Sequence, residues 1–291
     1  TKRSMSETPV ETRAYLETYG GFLIHCGLTG LGAPGEGDSH ALHGELPNAP
    51  MDVAWLEIDE AEGRITVKGS FQYTVAFSTN YRATIATSLS SGSAVTEAEV
   101  AVENLKQTPM DLMYLGHANF RPVDGGALHY CAAYTPKSVR VRRSIPSHIT
   151  PKPGYAEFLE ELAEHPDRHH VFDPSLAFDP EVVFEIDMVA GPDGLAHAVQ
   201  KHPEGYSDYI SYRPDVAPET MRWICRTPDQ DGLGVAFPAT SGVEGYTVEK
   251  NKGRVVELAG GETWRIGMQL GHLTASETEE MIAKIADISG G

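Results

Sequence analysis

Apolar and polar residues alternate along most of the chain from residue 53 onward. VAWLEID, RITVKGSF, QYTVAFS, YRATIATSL, TEAEVAVENL and DLMYLGHANF place β-branched, aromatic or other apolar side chains at every second position or in short runs. A period of two presents one face of a strand to a core. EGR, SSGS and KQTP separate these segments as turns. The pattern resumes in VVFEIDMVA, GLAHAVQK, SDYISYRP, MRWICRT, GLGVAFP, RVVELAG and TWRIGMQLGHL. Many short strands spaced by turns predict a mainly antiparallel all-β sandwich or barrel rather than alternating β–α units. Upstream, GFLIHCGL reads as a further strand, and ETRAYLETYGG as one or two helical turns closed by Gly20 and Gly21. GLGAPGEGD is a glycine-rich loop without the Lys-Ser/Thr ending of a phosphate loop.

Two segments carry the longer helical period. GYAEFLEELAEH has apolar Phe158, Leu159 and Leu162 against a glutamate-rich remainder and predicts a surface helix, inside a polar insertion over residues 144–180. The His169–His170 pair that follows reads as loop surface, with a lid as the alternative. SETEEMIAKIADI predicts a C-terminal helix with Ser276 as N-cap and Met281, Ile282 and Ile285 as its apolar stripe. No repeat or linker divides the sequence, so residues 1–291 are expected to form a single domain. The absence of an initiator methionine suggests an incomplete N-terminus.

Charge narrows the partners. Against 23 basic residues stand 41 acidic ones, a formal net charge of −18. Such a chain lacks the basic face that phosphate backbones require and is repelled by anionic membrane surfaces. A neutral ligand is the easiest match, although a local basic pocket is still able to hold an anion. Three widely spaced cysteines, Cys26, Cys131 and Cys225, suggest reduced thiols rather than a disulfide framework. With no apolar signal core and no bilayer-length run, a cytoplasmic location is expected.

The candidate chemistry centres on histidine. LHGEL carries His43 and Glu45, which share a face if the segment is extended. MYLGHANF carries His117 and Asn119 on one face, with Gly116 giving a ligand room to approach. His25 lies in LIHCG. With twelve histidines in the chain, most are expected to be structural or solvated, and neither short motif is decisive alone.

Four segments in order, YGGFLIHCGL, LHGELPNAP, VAVENLKQTPMDLMYLGHANF and GRVVELAGGETWRIGMQL, resemble the aldose 1-epimerase or galactose mutarotase-like superfamily, and within it the DUF4432 branch. The resemblance runs from about residue 12 to residue 273 and is weakest over residues 144–218. It implies a β-supersandwich with a helical insertion and a C-terminal helix, binding a monosaccharide or modified sugar on a concave face. It implies epimerisation at the anomeric carbon, with a histidine as general acid and a glutamate as base. By position, His117 matches the acid and His43 the histidine that holds sugar hydroxyls. Arg82 and Asn104 match polar strand positions near the site, Asn119 is a candidate substrate contact beside His117, and Trp223 is the best placed of the tryptophans to wall it.

The base departs from the family pattern. Related chains carry a glutamate before a proline, whereas Phe237 precedes Pro238 here. Either the nearby Glu244 serves as base, or the base is absent and Phe237 offers only a stacking surface. Three readings stay open: a sugar epimerase without cofactor using His117 and Glu244; an isomerase, epimerase or lyase holding a divalent transition metal on His25, His43, Glu45 and His117; and a non-catalytic sugar-binding protein. Exposed strand edges are compatible with a homodimer.

Overall fold

The computed structural model describes residues 15–17, 19–146 and 149–290. Most of the predicted helical stretch before Gly20 lies outside the described residues. Fifteen strands form two antiparallel sheets among the described residues. One sheet runs β1 (Leu23–Leu28), β6 (Met110–Ala118), β13 (Asp231–Ala239), β12 (Glu219–Arg226), β9 (Phe178–Ile186), β8 (Val139–Val141), with β14 (Val256–Leu258) also on β6. The other runs β2 (Val53–Asp59), β3 (Arg64–Val75), β4 (Thr79–Ser90), β5 (Val95–Asn104), β15 (Thr263–Leu273), β11 (Ser207–Tyr212), β10 (Ala196–Lys201), β7 (Ala127–Tyr130). This is the all-β mutarotase-like architecture that the alternation and the resemblance predict.

Alternation decides which way each strand faces. In β5, Ala98, Val100 and Val102 enter the core between the sheets, while Glu97 and Glu99 face solvent. β6 is apolar on both faces because it has two jobs. Leu112 and Tyr114 join the inter-sheet core, and Met113 and Leu115 join a second apolar cluster on the far side with Ile24, Cys26, Met221 and Phe237. That second cluster floors the site.

Local details correct the sequence reading. RITVKGSF and QYTVAFS are one continuous strand, β3. The predicted insertion helix is α1 (Tyr155–Glu164), and a short α2 (Tyr246–Asn251) follows β13. The C-terminal α3 (Ala275–Ser289) is capped by Thr274 rather than Ser276, in a reciprocal box with Glu277. His169 is not loop surface. It is fully buried, its Nε2 accepting from the guanidinium of Arg222 at 2.8 Å. All three cysteines are free and buried. No helix among the described residues is long and apolar enough to cross a membrane.

Candidate active site

The far face of the β1–β6–β13–β12–β9 row holds a cavity of about 410 Å³, a volume suited to a small molecule. His117 enters it from β6, in register with Ile24 of β1. Its Nδ1–H donates to Oδ1 of Asn119 at 2.8 Å. The amide orientation is settled because Asn119 Nδ2 donates to the Gly21 carbonyl at 2.8 Å. The imidazole therefore keeps its lone pair on Nε2. Burial holds its pKa down to about 3, so the ring is neutral at physiological pH.

Two glycines and a bulge shape the walls. Pairing between β12 and β13 slips between Met221 and Trp223, leaving one extra residue on β13 before Phe237. The slip folds the Phe237 ring back over Gly234, where an added Cβ would sit 2.0 Å from Cζ. Trp223 lies in the same way over Gly232, where a Cβ would sit 2.4 Å from Cζ3. Phe237 then stacks on His117 at 4.0 Å between centroids, worth about 0.5–1.5 kcal/mol beyond area burial. Trp223 stands 5.7 Å from His117.

The Trp223 indole N–H donates to Oε2 of Glu181 at 2.6 Å. Glu181, on β9, is the carboxylate lining the cavity. Tyr15, Tyr19, His43, Arg142, Cys225 and Gln230 also line it. Burial pushes the Cys225 thiol up to about 12, which removes it as a thiolate nucleophile.

The LHGE segment is a turn, not a strand. His43 and Gly44 both have positive φ, 57° and 77°. A side chain at Gly44 would collide with the carbonyl oxygens of Gly27 and Gly30 at 2.2 and 2.5 Å. The turn separates the two residues expected to share a face. His43 reaches the cavity, its ring 6.1 Å from that of His117. Glu45 is buried elsewhere, accepting from Thr29 Oγ1 at 2.8 Å and Tyr81 OH at 2.7 Å.

The proposed metal set does not converge. His25 pairs in register with Gly116 and bonds Tyr114 on the core face of β1 and β6, opposite His117. Glu45 is saturated by its donors. No group of three His, Cys, Asp or Glu side chains among the described residues is placed to hold a metal ion. Gly116 makes room for Met268 on the core face, 3.1 Å from an added Cβ, and not for a ligand. Arg82 is exposed on the other sheet, paired with Glu103 at 3.1 Å. Asn104 staples the β5–β6 turn through the carbonyls of Thr108, Leu258 and Ala259. Asn119 positions His117. Glu244 accepts from Arg142 Nε at 2.5 Å and Ser144 Oγ at 2.8 Å. Of the other tryptophans, Trp55 is exposed on β2 and Trp264 packs on Tyr114, its ring 5.2 Å away.

The family model for DUF4432, a domain of unknown function, matches residues 3–271. The chain belongs to the DUF4432 family. Solved structures place this DUF4432 protein among mutarotase-like folds. A Klebsiella pneumoniae protein provisionally assigned as an aldose 1-epimerase superposes with a TM-score of 0.78 at 19% identity, covering 100% of this chain and 71% of its own. A galactose mutarotase-like protein from Clostridium acetobutylicum gives 0.57 at 14% identity, over 85% and 79% of the two chains. An Escherichia coli K12 protein, also provisionally an aldose 1-epimerase, gives 0.52 at 15%, over 83% and 75%. No curated protein matches the chain. Sequence reasoning missed Glu181 and Arg142 in this DUF4432 protein. Glu181 lies in the region where the resemblance is weakest and reads as one more outward residue in DPEVVFEI, and Arg142 stands just before that region.

Proposed function

We propose that this DUF4432 protein binds a monosaccharide in the cavity and exchanges its anomeric configuration, with His117 and Glu181 as the proton-transfer pair. The observation that carries the reading is the Trp223 indole, set 5.7 Å from His117 and hydrogen-bonded to Glu181 at 2.6 Å. It spaces a base and a carboxyl group across one aromatic surface. β6 and β9 are three strand steps apart, roughly 14 Å between backbones, and both side chains line the one cavity.

Ring opening needs one group to take the anomeric hydroxyl proton and another to protonate the ring oxygen. Burial disfavours the imidazolium, so His117 enters as the acceptor through Nε2. The C1–O5 bond breaks as a carbonyl forms at C1, and the carboxyl group of Glu181 supplies the proton to O5. Rotation about C1–C2 and reversal of both transfers close the ring as the other anomer. No other reagent is consumed. Glu181 replaces Glu244 in this scheme, because Glu244 is held by Arg142 and Ser144.

Exchange-NMR on a panel of aldoses tests the pair. His117→Ala and Glu181→Gln are each expected to slow anomer exchange by about 10²–10⁴-fold. Exchange at the parent rate in Glu181→Gln would remove Glu181 from the mechanism. A second reading, sugar binding without turnover, is favoured by Phe237 standing where related chains carry a glutamate. It expects every variant to bind and none, parent included, to exchange.

A further inference from the structure

We propose that the cavity takes a monosaccharide carrying one carboxylate, a hexuronate, and that Arg142 reads that carboxylate. This rests on the sugar-exchange reading above and names the substrate class of the same site. Arg142 follows β8 directly, and its backbone N–H donates to the Val183 carbonyl at 2.8 Å, which seats it beside β9 at the cavity margin. Its side chain is 13% exposed and lines the cavity. Nε is occupied by Glu244 and Ser144. Nη1 and Nη2 donate to no group among the described residues. A guanidinium anchored through Nε and open at both terminal nitrogens presents the planar fork that a carboxylate accepts in two parallel hydrogen bonds.

Charge selects a monoanion. Glu244 already offsets the single guanidinium. A dianionic phosphoryl group would meet surplus negative charge, whereas a carboxylate brings one charge and satisfies the fork. With a net charge of −18 the chain offers an anion no long-range attraction, so selection must come from contact.

Order along the sheet supports the same ligand. His117 stands on β6, Glu181 on β9 and Arg142 just beyond β8, in the spatial sequence β6, β13, β12, β9, β8. A hexuronate pyranose carries its groups in matching order: anomeric hydroxyl on C1, the ring oxygen, then C5 bearing the carboxylate. The first meets the acceptor, the second the proton donor and the third the guanidinium.

Titration calorimetry and exchange-NMR with galacturonate and glucuronate against galactose and glucose test the assignment. Each uronate is expected to bind its parent hexose's site tighter by about tenfold or more. Arg142→Met should bring the uronate-to-hexose ratio toward one. The double variant Arg142→Met/Glu244→Gln should do the same without leaving Glu244 unpaired, which guards against a folding defect in the single variant. Glu244→Gln alone should strengthen uronate binding, because it removes a competing charge and keeps the fork. Hexoses that bind and exchange while uronates are rejected would overturn the carboxylate assignment and leave the exchange reading standing. Hexose phosphates preferred to uronates would also overturn it. Failure of every sugar to bind would overturn both.

Discussion

Arg222 and Trp223 are chain neighbours on β12, yet they face opposite chemistries. On the core face, the Arg222 guanidinium is fully buried, with no carboxylate partner among the described residues. Nε donates to the Val235 carbonyl at 2.9 Å, Nη1 to His169, and the group lies 3.9 Å over the Tyr130 ring. On the cavity face, Trp223 and His117 sit among aromatic rings in much the same way, but beside open volume. Both faces combine a histidine, aromatic rings and a cation. What separates scaffold from site is the spare valence. His169 spends Nδ1 on the Pro166 carbonyl and Nε2 on Arg222. His117 spends Nδ1 on Asn119 and keeps Nε2.

Acid should break both faces together and produce the largest effect. Burial lowers the pKa of His117 to about 3 and those of His25, His170 and His197 to about 4, and holds that of His169 well below its ordinary value. Each folded value lies below the unfolded one near 6.5, so the unfolded chain binds more protons in between. Stability is therefore full above about pH 6.5 and is lost progressively as pH falls toward 4. Urea unfolding at stepped pH checks the slope, and a His117→Gln variant should show a shallower one. Stability that held constant from pH 7 to 4 would contradict the neutral assignments.

Arg222→Met comes next and strikes the core face alone. It orphans the Val235 carbonyl and His169 Nε2, with an expected loss of about 3 kcal/mol in chemical denaturation. Sugar affinity in the folded fraction should change far less. Gly234→Ala is smaller and strikes the cavity face. The added methyl has no room beneath Phe237, so the ring must lift, at a cost of roughly 1–3 kcal/mol. The informative readout is His117, whose pKa should rise in NMR titration as its stacking partner withdraws. An unchanged value would separate Phe237 from the desolvation of His117.

The strands were legible because a period of two survives in nearly every segment, and β6 was visible as an uninterrupted apolar run. His117, Trp223 and Phe237 were legible for a related reason, since each is a chemically distinctive residue inside a regular strand. Glu45 was misread because the extended assumption failed at His43 and Gly44, where the backbone turns left-handed. Glu181 was hidden by regularity. It alternates in β9 just as Glu185 does, and only the indole on the neighbouring strand marks it out. Arg142 was hidden because its value depends on Glu244, 102 residues away along the chain. The metal set failed on parity: His25 and His117 belong to opposite faces of adjacent strands.

Gly232 and Gly234 supply the cavity with an absence. Two rings lie directly on main chain, so the depth of the binding floor is set by side chains the strand does not have. A methyl at either position acts as a shim under a panel, raising one wall by shifting a ring rather than by replacing it. Paired single replacements at residues 232 and 234 would therefore give a graded series of cavity sizes with the proton-transfer residues unchanged, a dial for ligand bulk built from the smallest possible parts.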